Sequence, residues 1–392
     1  MAWSPRRLVI LGATGSIGQQ ALAVARAFPE RLQVVGLAAG RNVDLLALDI
    51  ATFRPAWAAC QPEAHEALAR ACEGTATRIT SLEGLAACPE ADLVLIATVG
   101  RAGLAPTLAA LEAGKTVLLA NKEVLAMAGP LVTEAARRHG GRLLPIDSEH
   151  VALWQCLQGE PSAAATRLIL TASGGALRDR HPSDLSRVTP AEALAHPTWR
   201  MGPKVTVDSA TLLNKGLEVL EAHWLFDIPL EKIEVVVHRE SIVHSLVEFA
   251  DGALKAQLAV ADMRLPIQYA LSYPERWQQP WLPPLDLARL GRLSFEPLDE
   301  ARYPCFRLAR EAAARGATYP AVLCAADEVA VAAFLSGDIA FTDIPATIEG
   351  TLAAHHAVAI PSVEDILAAD AWARRWAHEH LPIRQAALPT HA

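Results

Sequence analysis

An apolar run at residues 7–11 leads directly into Gly12-Ala13-Thr14-Gly15-Ser16-Ile17-Gly18, and a helical pattern follows to Ala27. Few architectures accept a strand, a glycine-rich turn and a helix in that order. Glycine lets the backbone come close to a ligand, and the first N–H groups of a helix lack intrahelical partners, so a pyrophosphate suits this turn. A tight strand-to-helix connection with no ligand is the other reading. Residues 33–38 form the next β-like run and bear on the choice of cofactor. A site for NAD usually ends that strand in Asp or Glu, which holds the ribose 2′-hydroxyl. Here the chain reads Ala39-Gly40-Arg41-Asn42. A guanidinium suits a 2′-phosphate and favours NADP, unless Arg41 is an exposed residue opening the following helix.

Further strand-like runs at 57–59, 93–98, 116–120 and 142–146 alternate with helical stretches such as 105–113. Such alternation predicts a parallel sheet covered by helices on both faces. Two polar clusters then fall at the carboxyl ends of its strands, where open α/β sheets bind ligands. Asn121-Lys122-Glu123 follows one strand, with Asn121 either in the site or capping the next helix. At another, Leu143-Leu144-Pro145-Ile146 runs into Asp147-Ser148-Glu149-His150. In an extended backbone Asp147 and Glu149 share a face, so two hard oxygen donors converge while Ser148 points away. A helix start with Asp147 or Ser148 as N-cap is the competing reading.

The 392 residues exceed one ordinary domain and carry ample apolar material for two or three. A net charge of −8 with no basic block argues against a nucleic-acid surface, yet permits a local basic pocket for a small phosphorylated molecule. Six scattered cysteines without a C-x-x-C pair read as reduced packing residues. The apolar run after Arg6-Arg7 is cut too early by Gly12 for a signal peptide, and no stretch is expected to approach the ~18 apolar residues of a membrane span. A soluble, cytoplasmic protein with no membrane partner is the expectation. Lysine is scarce, with six against 29 arginines, and Lys122, Lys204 and Lys215 all fall in the motifs singled out here.

Residues 167–171 form a β-like run ending in Ala172-Ser173-Gly174-Gly175, a hydroxyl and two glycines that either wrap an oxyanion or simply turn. His196-Pro197-Thr198-Trp199-Arg200-Met201-Gly202-Pro203 has no periodic core pattern. It suits a flap that covers a ligand, or a packed connector around Trp199. Next, Asp208 or Ser209 reads as an N-cap, and Leu213, Leu217 and Leu220 recur at helical spacing. Asn214, Lys215 and Glu218 gather on adjoining parts of that helix, as a binding surface or a solvated face. Gly216 costs a helix about 1 kcal/mol relative to Ala, which suggests close approach of something to the backbone. Residues 234–238, 241–249 and 253–260 read as strands, the last two joined by an Asp251-Gly252 hairpin turn. Beyond Pro280, Pro283 and Pro284, helical patterns occupy 304–314, 321–336, 343–355 and 363–380 and carry no catalytic constellation.

GATGSIG, LLANKE, LPIDSEH, TASGG, HPTWRMG, TVDSATLLNKGLEVLEAHWLF and ADMRLPI occur together in order. In their order and spacing the chain resembles the 1-deoxy-D-xylulose 5-phosphate reductoisomerase family, from about residue 7 into the C-terminal helices. The resemblance implies that Asp147, Glu149 and Glu218 hold a divalent ion, Mg²⁺ or Mn²⁺, and oxygen-only ligation agrees with such hard cations. It implies that Lys122, Ser148, Ser173, His196, Ser209, Asn214 and Lys215 surround a sugar phosphate, together with Glu149 and Glu218. It also implies NADPH contacts from Thr14, Gly15, Ser16, Ile17, Gly40, Arg41, Asn42, Asn121, Glu123 and Gly202. The same resemblance implies a catalytic role for Asp147, Glu149 and Glu218, with Lys122 expected to steer charge or relay a proton beside them. The implied reaction is retro-aldol cleavage, re-addition and reduction by NADPH to 2-C-methyl-D-erythritol 4-phosphate, by a homodimer. Thr198, Arg200 and Ala261 depart from the family pattern without removing a ligand.

The expected fold class is α/β: an N-terminal Rossmann-type parallel sheet at 1–150, a central α+β catalytic domain at 151–275 with its flap at 196–203, a linker at 276–300 and a C-terminal helical domain at 301–392. Two other readings share the first segment. A simple NADP-dependent dehydrogenase or epimerase needs no carboxylate on the later helix, and an NADP-sensing regulatory module needs none of Lys122, Asp147, Glu149 and Glu218.

Overall fold

The computed structural model describes residues 4–383, and the chain divides into two compact units. The first comprises the chain up to Thr171 with Glu221–Glu234 and Glu240–Ser294; the second comprises Ala172–Leu220, Val235–Arg239 and the chain from Phe295.

The first unit opens with the alternation that the sequence predicts: β1 (Arg6–Leu11), α1 (Ser16–Ala27), β2 (Leu32–Ala38), α2 (Val43–Phe53), β3 (Trp57–Ala59), α3 (His65–Cys72), β4 (Arg78–Ile79), α4 (Leu82–Ala86), β5 (Leu93–Ile96), α5 (Leu104–Glu112), β6 (Thr116–Leu119), α6 (Lys122–His139), β7 (Arg142–Pro145) and α7 (Ser148–Leu157). The seven strands are parallel, in the order β4-β3-β2-β1-β5-β6-β7. Leu8 to Leu11 and Val94 to Ile96 are buried without a break. Helices cover both faces of a parallel sheet, so its central strands need continuous apolar runs instead of alternation. The strand order reverses between β1 and β5, which places the ligand crevice at their carboxyl ends.

A five-stranded sheet has the order β11-β10-β8-β9-β12, from β8 (Ala165–Ala172), β9 (Ile233–Val237), β10 (Val243–Phe249), β11 (Leu254–Leu258) and β12 (Glu296–Pro297). β10 and β11 are antiparallel across the expected turn, where Gly252 takes φ +85°. The remaining helices are α8 (Pro190–Ala193), α9 (Pro203–Thr211), α10 (Leu213–Phe226), α11 (Arg264–Ser272), α12 (Leu287–Leu290), α13 (Pro304–Arg315), α14 (Tyr319–Ser336), α15 (Asp343–Ala354) and α16 (Val363–Glu379). The last four match the expected C-terminal patterns to within a residue or two.

Local expectations change in three places. β7 stops at Pro145 and α7 starts at Ser148, so Asp147 and Glu149 approach each other across a helix start and not along an extended strand. Asp208 and Ser209 do not stand at a helix start, and the N-cap of α9 is Gly202. They lie inside α9, and Leu212 at φ +56° breaks the chain between α9 and α10. Finally, α14 is long and apolar enough to cross a membrane by length and composition, contrary to the expectation that no stretch is. It is 72% buried within the fold, which is what the core helix of a helical layer requires.

Candidate active site

The glycine-rich turn is shaped by contacts that exclude side chains. A Cβ on Gly12, at φ +89°, would lie 2.2 Å from the Ala97 carbonyl oxygen, and one on Gly18 would lie 2.3 Å from the Gly12 carbonyl oxygen. Gly15 is the N-cap of α1 and supplies no side-chain cap, so the first N–H groups of α1 lack the acceptor that an N-cap side chain would bring. Thr14, Ser16 and Ile17 surround that terminus. Gly40 and the exposed Arg41 follow β2. Asn42 spends its side-chain oxygen on α2, accepting from the Leu45 N–H at 3.2 Å. Three residues beyond the end of β5, Val99 is 76% exposed, and sequence reading passed over it.

Asn121 and Asp147 both occupy helix N-cap positions, and neither side chain caps its helix. Asn121 Nδ2 instead donates to the Gly100 carbonyl at 2.9 Å and to Thr98 Oγ1 at 3.3 Å. Its Oδ1 is buried and has no hydrogen-bond partner among the described residues. Asp147 pairs with the Lys122 ammonium, each side chain little more than a tenth exposed. Burial alone would raise the Asp147 carboxyl, but Lys122, then His150 and Glu149, outweigh it and hold the group well below the usual carboxylate range. It therefore stays charged at any pH the protein meets.

Around it the first unit gathers more oxygen donors. A carboxylate oxygen of Glu149 lies within 4.8 Å of one on Asp147. Ser148 Oγ donates to Glu149 Oε2 at 2.6 Å. His150 and Glu221, both fully buried, approach at 3.4 Å, and with Asp147 they form a second group whose ligand atoms lie within 4.8 Å. Neither His150 nor Glu221 was singled out from sequence. The signal was present only as spacing: His150 is three residues beyond Asp147, and Glu221 three beyond Glu218 on α10. Residues so spaced leave neighbouring turns of one helical face. The Trp224 indole fixes this end of α10: a Cβ on Gly129, at the kink in α6, would lie 2.3 Å from its Cδ1. A cavity of about 240 Å³ in the first unit, lined by Gln155, His244, Gln268 and Tyr269, shares Ser148 with this cluster and otherwise lies away from it, so volume alone does not mark the chemistry.

The second unit holds a separate set. Ser173 follows β8, and its Oγ lies 2.9 Å from His196 Nε2 and accepts from the Gly175 N–H at 3.2 Å. His196 Nδ1 accepts from the N–H groups of Thr198 at 3.1 Å and Trp199 at 2.9 Å. An acceptor at Nδ1 leaves the proton on Nε2, so a neutral imidazole donates toward Ser173. Burial, with a smaller push from the Arg178 guanidinium, lowers its pKa to about 4 and keeps it neutral. Gly175, at φ +73°, lets this turn lie against α9: a Cβ would meet the Ser209 carbonyl oxygen at 2.3 Å. On α10, Asn214 and Lys215 both bind the Glu218 carboxylate, and Lys215 and Glu218 are buried, so the face is not solvated. Gly216 explains itself by packing. A Cβ there would lie 2.4 Å from Ala309 Cβ on α13.

Family models match most of the chain. One described as 1-deoxy-D-xylulose 5-phosphate reductoisomerase matches residues 8–129, its C-terminal domain model matches 143–226, and a DXP reductoisomerase C-terminal domain matches 258–376. The 1-deoxy-D-xylulose 5-phosphate reductoisomerase of Geobacillus kaustophilus is 53% identical over 371 residues, covering 94% of this chain and 97% of that protein. That of Thermomicrobium roseum is 54% identical over 376 residues, covering 94% and 96%. Among solved structures, the reductoisomerase from Zymomonas mobilis in complex with NADPH is 42% identical with a TM-score of 0.89, covering 96% of this chain and 99% of that one. A DOX-P reductoisomerase in complex with NADPH, fosmidomycin and magnesium is 40% identical with a TM-score of 0.90, covering 95% and 98%. With relatives above 50% identity across nearly its whole length, and a turn, a charged Asp147 and a Ser173–His196 pair laid out as described, the chain belongs to the 1-deoxy-D-xylulose 5-phosphate reductoisomerase family.

Proposed function

We propose that the protein converts 1-deoxy-D-xylulose 5-phosphate to 2-C-methyl-D-erythritol 4-phosphate with NADPH and a divalent cation, Mg²⁺ or Mn²⁺. The observation that carries this reading is Asp147: a largely shielded carboxylate, about a tenth exposed, at a helix start that it does not cap, kept charged by Lys122. Such a group suits a hard cation, and zinc poorly.

The nucleotide fits the turn around Gly12, Gly15 and Gly18, with Thr14, Ser16 and Ile17 at the α1 terminus. Gly40, Arg41 and Asn42 follow β2, and Arg41 takes the 2′-phosphate. Asn121, whose Oδ1 awaits a donor, Glu123 and Gly202 complete the set. Asp147, Glu149 and Glu218 hold the metal; the continuity of α10 from Glu218 to Glu221 is what supports drawing Glu218 to the first two. When bound, the metal supplies Lewis-acid polarisation of the substrate carbonyl during retro-aldol cleavage and re-addition. Lys122 keeps Asp147 charged, and its ammonium steers charge or relays a proton at the carboxyl edge of the sheet. Ser173, Ser209, Asn214 and Lys215 offer hydroxyl, amide and ammonium donors to the phosphate. Neutral His196 donates from Nε2, and Ser148 orients Glu149. Residues 196–203 cover the substrate and exclude water. The functional segments follow the ranges 1–150, 151–275, 276–300 and 301–392, in a cytoplasmic homodimer.

The test is NADPH oxidation at 340 nm with 1-deoxy-D-xylulose 5-phosphate, before and after removal of divalent ions by a chelator. Turnover that stops with the metal and returns with Mg²⁺, giving a product with the branched carbon skeleton, supports the proposal. Metal-independent oxidation, or a reduced but unrearranged sugar, rejects it in favour of a simple dehydrogenase.

A further inference from the structure

The segment that covers the ligand ends in an ionic anchor that the proposed chemistry does not use. Lys204 stands in the first turn of α9, directly after Gly202 and Pro203. Its ammonium lies 2.6 Å from Asp208 Oδ2, one turn along the same helix, and 2.9 Å from Asp327 Oδ2 in the middle of α14. Asp208 is 1% and Asp327 0% exposed. A carboxylate inside so apolar a helix is tolerable when a cation meets it, and although Lys204 itself is about a quarter exposed, the two buried carboxylates hold its ammonium because they would otherwise be left without a counter-charge. Two residues earlier the situation is reversed: a Cβ on Gly202 would meet nothing within 4 Å. A joint in open space is thus followed at once by a fixed point. The opposite end of the segment is held by His196, through Ser173 and the Thr198 and Trp199 N–H groups, and those are contacts that a bound phosphate would share.

The geometry points to Lys204 as a positioning residue that fastens the C-terminal end of the flap to α14, so that closure pivots at Gly202 while Ser209, one residue past Asp208, stays in place. This rests on the reading of residues 196–203 as the cover over the sugar phosphate. Lys204 itself touches no reacting atom. Removing its charge frees the base of the flap and the first turn of α9 together, and substrate binding suffers more than the chemical step.

Arg200, exposed within the flap, makes the motion measurable, because trypsin cleaves after it when the flap is open. Cleavage after Arg200 is followed by mass spectrometry in the wild type, Lys204→Met, Lys204→Arg and Asp327→Asn, each with NADPH bound. Lys204→Met is expected to speed cleavage after Arg200 and to raise KM for the sugar phosphate, each by about tenfold, with kcat within about threefold and NADPH affinity unchanged. Lys204→Arg restores both readouts toward the wild type. Should Lys204→Met fail to fold, Asp327→Asn, which keeps the contact to Asp208, gives a smaller shift in the same two readouts. Wild-type cleavage and KM in Lys204→Met or in Asp327→Asn overturn the inference, as does a fall in kcat with no change in cleavage. A wild type that cleaves slowly and its Lys204→Met variant quickly, with neither turning over the sugar phosphate, would sink the functional reading and leave the anchor standing.

Discussion

Gly216→Ala sets two effects of opposite sign against each other at one position of the catalytic helix. In an isolated helix alanine would stabilise by about 1 kcal/mol relative to glycine. Here the new Cβ would lie 2.4 Å from Ala309 Cβ, well inside the roughly 3.5–4.0 Å at which carbon atoms pack. Ala309 is buried on α13 and its Cβ has no torsion to swing away, so α10 and α13 must part by more than an ångström. Overpacking of this kind costs about 1–3 kcal/mol, and a rigid contact belongs at the upper end of that range. The net expectation is a loss of about 1–2 kcal/mol. Urea unfolding measures it, and Lys215 and Glu218, displaced with α10, should show the shift as a raised KM for the sugar phosphate. Adding Ala309→Gly removes the clash and recovers most of the affinity. A Gly216→Ala variant more stable than the wild type would refute the reasoning, because propensity alone would then govern the site.

Three further outcomes follow from the same geometry. Arg41→Ala should weaken NADPH by roughly 10–100-fold, the loss of a charged hydrogen-bonded contact, while NADH binding stays put; an equal loss for both cofactors would remove Arg41 from the 2′-phosphate. The folded pKa of His196, about 4, lies below its ordinary value of 6.5, so its contribution to stability is present above pH 6.5 and is lost as pH falls toward 4. Discounted for partial exposure, the wild type should lose about 1–2 kcal/mol relative to His196→Gln across that window, and parallel curves from urea titrations would contradict it. Glu218→Gln should abolish turnover and leave NADPH affinity nearly intact, whereas normal rates at limiting metal would show that the wrong carboxylate was chosen.

The parallel sheet was legible because its signals are local: continuous apolar runs, glycines at a turn, helices between. The C-terminal helices were legible for the same reason. The start of α7 was legible only as the second of two readings: Asp147 does take its N-cap position, but the side chain is diverted by Lys122, 25 positions earlier in the chain. Asn121 misleads in the same way, drawn to Gly100 and Thr98. Asn214, Lys215 and Glu218 could be grouped from helical spacing, but spacing could not say that Lys215 and Glu218 are buried. His150 with Glu221 and Lys204 with Asp327 are pairs between distant parts of the chain, and a single sequence carries no trace of such a pairing. Gly216 was read correctly as a point of close approach, although the approaching group is Ala309 and not a ligand.

Manganese soaked into crystals of the protein, located by its anomalous scattering, asks the central question directly. The expected result is one ion with carboxylate oxygens of Asp147, Glu149 and Glu218 at about 2.1 Å, the distance of a small hard cation. An ion held instead by Asp147, His150 and Glu221, or none near Asp147 at all, would contradict the account.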